Sequence, residues 1–198
     1  MGLKIYKPNS KNTGCACHFQ VSSSTFVKAG KSEPDFAVFL QMVRQKSWDD
    51  AKKTGSFDIN SKVIIKLDPV REVGGMIHVL DNKDQVKDGN ASQKAEFFHK
   101  TKEGNKVIRF QKSMFGDKVI YSLVVTGKDK EMWRTFFDEF EGETVKAFLR
   151  FSQERIFTGM HALDKQGFQK GKKTNKKDSG FDTESIEVST LEYLDDLV

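Results

Sequence analysis

The sequence predicts an α+β fold in which several β-strands followed by one helix occur twice. Runs rich in β-branched and aromatic residues form two groups, within residues 16–67 and 95–126. Each group precedes a stretch with apolar residues at helical spacing, residues 69–80 and 131–151. Because the strands are grouped instead of alternating with helices, we expect two antiparallel β-sheets packed with helices.

The first half begins with two strand candidates, residues 16–22 and 36–44. A loop rich in Ser, Gly and Lys and ending in Glu33-Pro34-Asp35 separates them. Residues 36–44 could be a helix or a strand by composition, and their two-residue alternation behind Pro34 favours a strand. Trp48 follows and could either stack on a base or cover the core.

Residues 62–67 (KVIIKL) predict a strand that leads directly into the first helix. Asp68-Pro69 is an N-cap followed by proline at the first helical position, so the helix spans residues 69–80. Gly74-Gly75 would let it approach the sheet closely, and residues 81–93 form a polar loop. The buried stripe of the helix is predicted to be Val70, Val73, Ile77 and Leu80.

The second half predicts a hairpin, a central strand and a long helix. The hairpin pairs residues 95–99 with 107–111 through a connection containing Gly104, and the strand at 118–126 is apolar on both faces. The helix at 131–151 is expected to kink or break at Gly142. Its core-facing residues are predicted to be Trp133, Phe136, Phe137, Phe140, Val145, Phe148 and Leu149.

Composition indicates a soluble intracellular protein with one main domain. The chain has 198 residues, 37% hydrophobic and 31% charged, without an apolar run long enough for a membrane span. The first ten residues lack the apolar stretch of a signal peptide, so we expect the cytoplasm or nucleoid. Cys15 and Cys17 are too close along a strand for a disulfide and are predicted to be reduced, structural thiols.

Charge divides the chain into three segments. Residues 165–177 carry six lysines and no acid, and residues 178–198 carry seven acids and no base, which leaves about +6 on residues 1–164. We therefore expect a basic domain (1–164), a flexible basic linker (165–177) and an acidic, disordered tail (178–198). The tail is either a solvated terminus or a partner-binding peptide that recruits replication or transcription proteins. The residues predicted to contact such a partner are Leu191, Tyr193, Leu194, Asp195, Asp196, Leu197 and Val198.

The predicted hairpin, residues 94–112 (KAEFFHKTKEGNKVIRFQK), mixes aromatic and cationic side chains. An exposed sheet of this composition offers positive charge to phosphates and flat rings to unpaired bases. The alternative is an ordinary amphipathic hairpin whose phenylalanines fill the core and whose lysines are solvated. Strand alternation puts Phe97 and Phe98 on opposite faces, so at most one of them can meet a base.

No motif in the sequence points to an enzyme. A phosphate-cradling glycine loop, an HExxH pair and a nucleophile motif are all absent from the sequence, and the four histidines are scattered. The neighbouring acids Asp49-Asp50 and Asp138-Glu139 would point apart on a strand or helix. We therefore expect no catalysis, no metal and no cofactor.

Several of these segments together resemble the Whirly family of single-stranded DNA-binding proteins. They are IYK at residues 5–7, Arg44 followed by Trp48-Asp49, KVIIKLDPVREVGGMIHVL at 62–80, EFFHK at 96–100, KVIRFQK at 106–112 and YSLVV at 121–125, and the resemblance covers about residues 4–151. It implies two β-sheets with helices repeated within one chain, assembly as a tetramer, and unpaired DNA bound across the sheet edges against aromatic and apolar side chains. A related arrangement binds guide RNA in mitochondrial editing factors.

The sequence is expected to differ from the family in one element and to add another. A further strand normally precedes the last helix of the family, whereas here Thr126 is expected to lead almost directly into it. The acidic tail resembles those of replication-type single-strand binders, which recruit partner enzymes and compete with DNA.

We thus predict a sequence-tolerant single-stranded DNA-binding homo-oligomer, with RNA as the less favoured ligand, that acts in replication, recombination, repair or transcription. The alternatives are an oligonucleotide-binding barrel of a replication protein and an adaptor that binds acidic proteins and no nucleic acid. The predicted contact residues are Arg44, Lys46, Trp48, Lys62, Phe97, Phe98, Lys100, Lys102, Lys106, Arg109, Phe110, Lys112 and Tyr121.

Overall fold

The structure is a computed structural model that describes residues 1–28, 31–82, 93–101, 104–128 and 131–170. Its elements are β1 (Gly2–Lys7), β2 (Cys15–Lys28), β3 (Lys31–Asp49), β4 (Thr54–Leu67), a π-helical turn (Pro69–Val73), α1 (Gly74–Asp81), β5 (Gln93–Thr101), β6 (Gly104–Phe115), β7 (Lys118–Thr126), β8 (Met132–Asp138) and α2 (Glu139–Lys170). Strands β1 to β4 form one antiparallel sheet, sheet A, and β5 to β8 form a second, sheet B, each in sequential order. The predicted fold class, strands followed by a helix and repeated twice, is confirmed.

The two sheets share one hydrophobic core. In sheet A, Phe19, Leu40 and Ile65 lie side by side across three strands and are at most 2% exposed. The inner face of sheet B contributes residues such as Phe110 and Leu123 to the same cluster. One face of each strand therefore faces the core, as the two-residue alternation predicts, and the other is left at the surface.

The predicted helix after β4 is confirmed, and of its predicted buried stripe Val73, Ile77 and Leu80 are buried whereas Val70 is not. Asp68 caps it by accepting hydrogen bonds from the backbone N–H groups of Val70 and Arg71. The first turn is π-helical, with Val73 N–H bonded to the carbonyl of Asp68, and this wider turn leaves Val70 66% exposed. Met76 is fully buried instead.

Strands β2 and β3 are longer than predicted. They pair from Cys15↔Arg44 to Lys28↔Lys31, so most of the segment predicted as a loop is a hairpin. At the other end, β3 and β4 continue beyond the predicted strands to the pair Asp49↔Thr54, with register shifts on both sides of Gln45.

The prediction of one helix over residues 131–151 was wrong in its first third, and so was the expectation that a strand is missing. Residues 132–138 form β8, which pairs with β7 and alternates strictly between exposed and buried side chains. The helix begins after Asp138, which exchanges backbone-to-carboxylate hydrogen bonds with Glu141 in a capping box. It runs without a break past Gly142, which lies against the ring of Tyr121.

The helices hold each other through polar contacts. Arg150 of α2 makes a bidentate ion pair with Asp81 of α1, and Gln153 donates to the carbonyl of Pro69. Residues 1–160 form one compact unit and residues 161–198 a second, of which the structure describes only the continuation of α2. None of the helices in the described ranges is long and apolar enough to cross a membrane. The predicted partner-binding tail lies outside the described residues.

Candidate nucleic-acid interface

A groove of about 960 Å³ opens where β8, an edge strand of sheet B, meets the ends of β1, β2 and β3. Its floor includes inward-facing residues of β8 and the buried Cys15. The polar, charged and exposed apolar side chains that line it are those of Lys7, Asn9, Asn12, Thr13, Arg44, Gln45, Lys46, Asp58, Ser61, Met132, Arg134, Thr135, Phe136 and Asp138.

Strand β8 supplies an arginine and an aromatic ring to the groove on one face. Arg134 and Phe136 are two residues apart and so project from the same side of the strand. The Arg134 guanidinium carbon lies 6.0 Å from the centroid of the Phe136 ring, which is 49% exposed. A cation beside an accessible ring matches the alternation of phosphate and base in a single strand.

Arg44 and Lys46, both predicted contact residues, come to this groove from β3. The Arg44 guanidinium carbon is 5.3 Å from the centroid of Trp133, whose indole N–H donates to the carbonyl of Ser61. That arrangement fixes Arg44 against a buried ring, whereas Lys46 is exposed.

Positive charge exceeds negative charge among the groove residues. Four cationic side chains line it, against the two carboxylates of Asp58 and Asp138. Asp138 is engaged in the capping box, and Lys7 forms an ion pair with Glu141 at the same helix start. The groove therefore favours an anionic ligand.

The thiol of Cys15 in the groove floor is not a nucleophile. Burial raises its pKa to about 12, so it stays protonated near neutral pH. Cys15 and Cys17 are both buried free thiols. Across the described parts of the chain, no three His, Cys, Asp or Glu side chains come together as metal ligands.

The outer face of sheet B carries the exposed half of the predicted hairpin. Phe98 is 69% exposed, and Lys100 is exposed two residues further along β5. Arg109 donates from Nε to Glu96 Oε2 at 2.7 Å, and this hydrogen bond lowers the pKa of Glu96. Arg109 is thus held by a carboxylate.

The hairpin face and the groove are parts of one surface. Glu96, Arg109, Val124 and Arg134 occupy one row across the four strands of sheet B. Arg109 and Arg134 are two strands apart, roughly 10 Å between backbones. A ligand that contacts the hairpin can therefore continue over the sheet to β8 and into the groove.

Five predicted contact residues of sheet B are buried instead. Phe97 is 8% exposed and packs against Gly75, and Phe110 and Tyr121 stack on each other in the core, so none of the three rings can receive a base. Lys112 is buried with its ammonium donating to the carbonyl of Asn82 at 2.7 Å. Lys106 is also buried, at 9% exposure. Along β5 and β6 these buried positions alternate with more exposed ones, and the middle of β7 is buried on both faces, which explains why composition alone did not separate them.

The remaining predicted residues lie apart from the groove. Trp48 is half-buried and its indole N–H donates to Asp50 Oδ1 at 3.0 Å. Lys62 is exposed on the outer face of sheet A, where it pairs in register with Val43. Lys102 lies outside the described residues.

Sequence reasoning missed the β8 contribution and the polar wall formed by residues 8–14, the connector between β1 and β2. The burial of residues 132–138 alternates with period two in the structure, but their sequence, MWRTFFD, does not alternate polar with apolar residues, so it gave only a weak signal for Arg134 and Phe136. The wall carried no comparable signal, since its place depends on contacts between residues far apart in the chain.

Comparison with solved structures identifies the fold. WHY1 from Arabidopsis thaliana superposes with a TM-score of 0.52 at 15% identity, covering 90% of this chain and 97% of that one. WHY3 from Arabidopsis thaliana gives 0.54 at 14% identity, covering 87% and 97%. The chain has the Whirly fold. The plant transcriptional regulator PBF-2 shares it, with a TM-score of 0.51 and 17% identity over 83% of this chain and 86% of that one.

This chain thus has the Whirly fold although its sequence is at most 17% identical to those of these three proteins. Neither the comparison with protein-family models nor that with curated proteins gives a match.

Proposed function

We propose that this chain is a sequence-tolerant single-stranded nucleic-acid-binding protein that prefers DNA to RNA. The observation that carries the proposal is the Arg134 and Phe136 pair on β8, which presents a cation and an accessible ring to a groove with excess positive charge. Phosphates bind by charge, and bases stack on rings whatever their identity, so such a site tolerates sequence.

The surface divides naturally into phosphate and base contacts. Arg44, Lys46 and Arg134 hold phosphates in the groove, and Lys100 holds them on the hairpin. Phe136 and Phe98 are the rings that receive bases. Arg109 joins the phosphate contacts when a ligand displaces Glu96.

We propose a role for the chain in nucleic-acid metabolism that involves its acidic tail. PBF-2, which shares the fold, is a transcriptional regulator. The acidic tail, residues 178–198, supports a role in which the tail recruits replication, recombination, repair or transcription proteins and competes with DNA for the basic surface. Deleting the tail should then tighten DNA binding, and an unchanged affinity would argue against competition.

Helix α2 supports assembly as a homo-oligomer. Phe140 is 85% exposed and Phe151 is 37% exposed, and they lie eleven residues apart, close to three helical turns, on one face of the helix. Exposed rings on one helix face indicate a protein contact. Mass measurement of the wild type and of a double variant with F140A and F151A, with and without oligo-dT, tests this: the wild type should be an oligomer and the variant a monomer.

Binding itself is tested by fluorescence anisotropy with labelled oligo-dT at 50 and 200 mM salt. We expect wild-type affinity to fall steeply with salt, and F136A to lose about 1–3 kcal/mol of binding energy, a rise in Kd of about five- to 150-fold. R134Q should weaken binding and reduce the slope of log K against log salt by about 0.7, the value for one phosphate contact with a single strand.

Two matched variants outside the groove serve as controls. Arg155 also lies over a phenylalanine ring, that of Phe151, and Phe115 is 80% exposed at the β6 end. R155Q and F115A should bind as the wild type does. No binding by the wild type at low salt would refute the proposal and leave the adaptor alternative, whereas a salt-insensitive affinity would refute the phosphate contacts.

A further inference from the structure

Gln45 is a buried polar residue at the wall of the groove. It is 7% exposed and sits where β3 is bulged, with register shifts to β4 on either side. A bulge changes the direction of a side chain. Here the Gln45 side chain reaches the connector between β1 and β2, residues 8–14, instead of following the strand alternation.

The side-chain amide of Gln45 ties this connector to β3. Its Oε1 accepts from the backbone N–H of Asn9 at 2.8 Å, and its Nε2 donates to the carbonyl of Asn9 at 2.9 Å. Asn12 Oδ1 at 3.2 Å and the carbonyl of Ser47 at 3.0 Å are also within hydrogen-bond distance of Nε2, so its two hydrogens serve three acceptors. The backbone N–H of Gln45 adds a bond to the carbonyl of Gly14.

The side-chain amide of Gln45 is tightly packed between two glycines. A Cβ atom on Gly14 would lie 2.4 Å from Gln45 Oε1, and one on Gly55 would lie 3.2 Å from Nε2. Both positions are occupied by glycine, so the amide fits between two backbone segments. Such a residue has little freedom to rotate.

The pattern of hydrogen-bond donors and acceptors around Gln45 also fixes the orientation of the Asn12 side chain. Because the N–H of Asn9 can only donate, Oε1 of Gln45 must face it, and Nε2 must face the Asn9 carbonyl and Asn12. Asn12 therefore presents Oδ1 to Gln45 and turns its Nδ2 donors away. Asn12 lines the groove, has a left-handed φ of 55° and makes no other described side-chain bond.

We propose that Gln45 is a positioning residue of the binding groove, which holds residues 8–14 as the polar wall and directs the Asn12 amide donors towards phosphate or base-carbonyl oxygens of the bound strand. This inference rests on the proposed function. Gln45 itself contacts no ligand, so its effect on affinity is one of preorganisation: if the free wall occupies the competent position about a tenth of the time, the apparent Kd rises about tenfold.

The test compares Q45M with Q41M in the full chain. Methionine matches glutamine in length without its hydrogen bonds, and Gln41 lies on the same strand but on the outer face of sheet A, away from the groove. We expect Q45M to weaken oligo-dT binding about tenfold with an unchanged salt slope, because no charge is removed. Backbone hydrogen exchange at Asn9 should become faster in Q45M, and Q41M should match the wild type in both measurements.

A second variant keeps the inference testable if Q45M fails to fold. N12G removes the amide donors and keeps the left-handed backbone accessible, so it should weaken binding with the Asn9 exchange rate unchanged. The inference is overturned if N12G or Q45M binds oligo-dT with wild-type affinity. It is also overturned if Q45M changes the salt slope or leaves backbone exchange at Asn9 unchanged. A wild-type chain that does not bind oligo-dT would instead refute the proposed function, and with it the role of the wall in binding.

Discussion

Replacing Gly142 by alanine tests whether Tyr121 is a core residue or a base-stacking residue. A Cβ at position 142 would lie 2.5 and 2.6 Å from Cε2 and Cδ2 of Tyr121. That ring is 5% exposed and stacks on Phe110 with centroids 6.2 Å apart and planes 12° apart. It therefore cannot swing aside without disturbing the core of sheet B.

Two opposing effects set the size of the change in the free energy of unfolding that G142A causes. Glycine to alanine inside a helix stabilises by about 1 kcal/mol. Overpacking a filled core costs about 1–3 kcal/mol, and two ring atoms at these distances favour the upper end. We expect G142A to lower the free energy of unfolding by about 1–2 kcal/mol. In a Y121A background the ring is gone, so the same substitution should stabilise by about 1 kcal/mol.

Urea unfolding of the wild type, both single variants and the double variant measures this reversal of sign. G74A is the matched control, since its Cβ would meet its nearest neighbour, Gln153 Nε2, only at 3.6 Å; it should not destabilise. The reasoning fails if G142A is as stable as G74A, or if its effect is the same with and without the ring. A reversal would establish that Tyr121 packs against α2 and is not available to a base.

Three further predictions concern the groove and its surroundings. The hydrogen bond from Arg109 lowers the pKa of Glu96, so the carboxylate is charged at neutral pH and its ion pair with Arg109 is lost only as pH falls through that lowered pKa. E96Q should therefore free Arg109, strengthen oligo-dT binding at pH 7 and steepen the salt slope by about 0.7. An unchanged slope would mean that Arg109 contacts no phosphate. W133F removes the indole N–H that donates to the buried Ser61 carbonyl and should lower the free energy of unfolding, measured in urea, by about 1–3 kcal/mol. An unchanged stability would contradict this hydrogen bond. With its pKa raised by burial to about 12, Cys15 should resist thiol reagents at pH 8 until urea is added; rapid labelling of the folded protein would contradict that environment.

The architecture was predictable because the local signals agreed with the global fold. KVIIKL, the Asp68-Pro69 helix start and the apolar run of β7 each indicate one element, and their order gives the two halves. The stretch at residues 131–138 misled because Trp133, Phe136 and Phe137 fit a helical spacing as well as a strand. Tertiary contact with β7 decided between the two.

The candidate site was only partly predictable. Arg44 and Lys46 were predicted as contact residues and line the groove, and Phe98 was predicted from the hairpin and is exposed. Which hairpin residues face outward depends on register, and composition carries no information about register. Asn12 in the polar wall is bonded to Gln45, which lies where the pairing of β3 with β4 is irregular, and neither the bond nor the irregularity can be read from the sequence.

The packing of β8 fixes the positions of the side chains that it contributes to the groove. Its inward residues, Trp133 and Phe137, are at most 3% exposed and fixed in the common core, and its outward residues, Arg134 and Phe136, alternate with them. A contact residue between two packed core residues cannot drift along or rotate about the strand, because either motion would open the core. The same residues that stabilise sheet B therefore hold the cation and the ring at a fixed spacing along the groove. Binding should consequently be more sensitive to core substitutions on β8 than to substitutions of equal cost on strands that carry no groove residue.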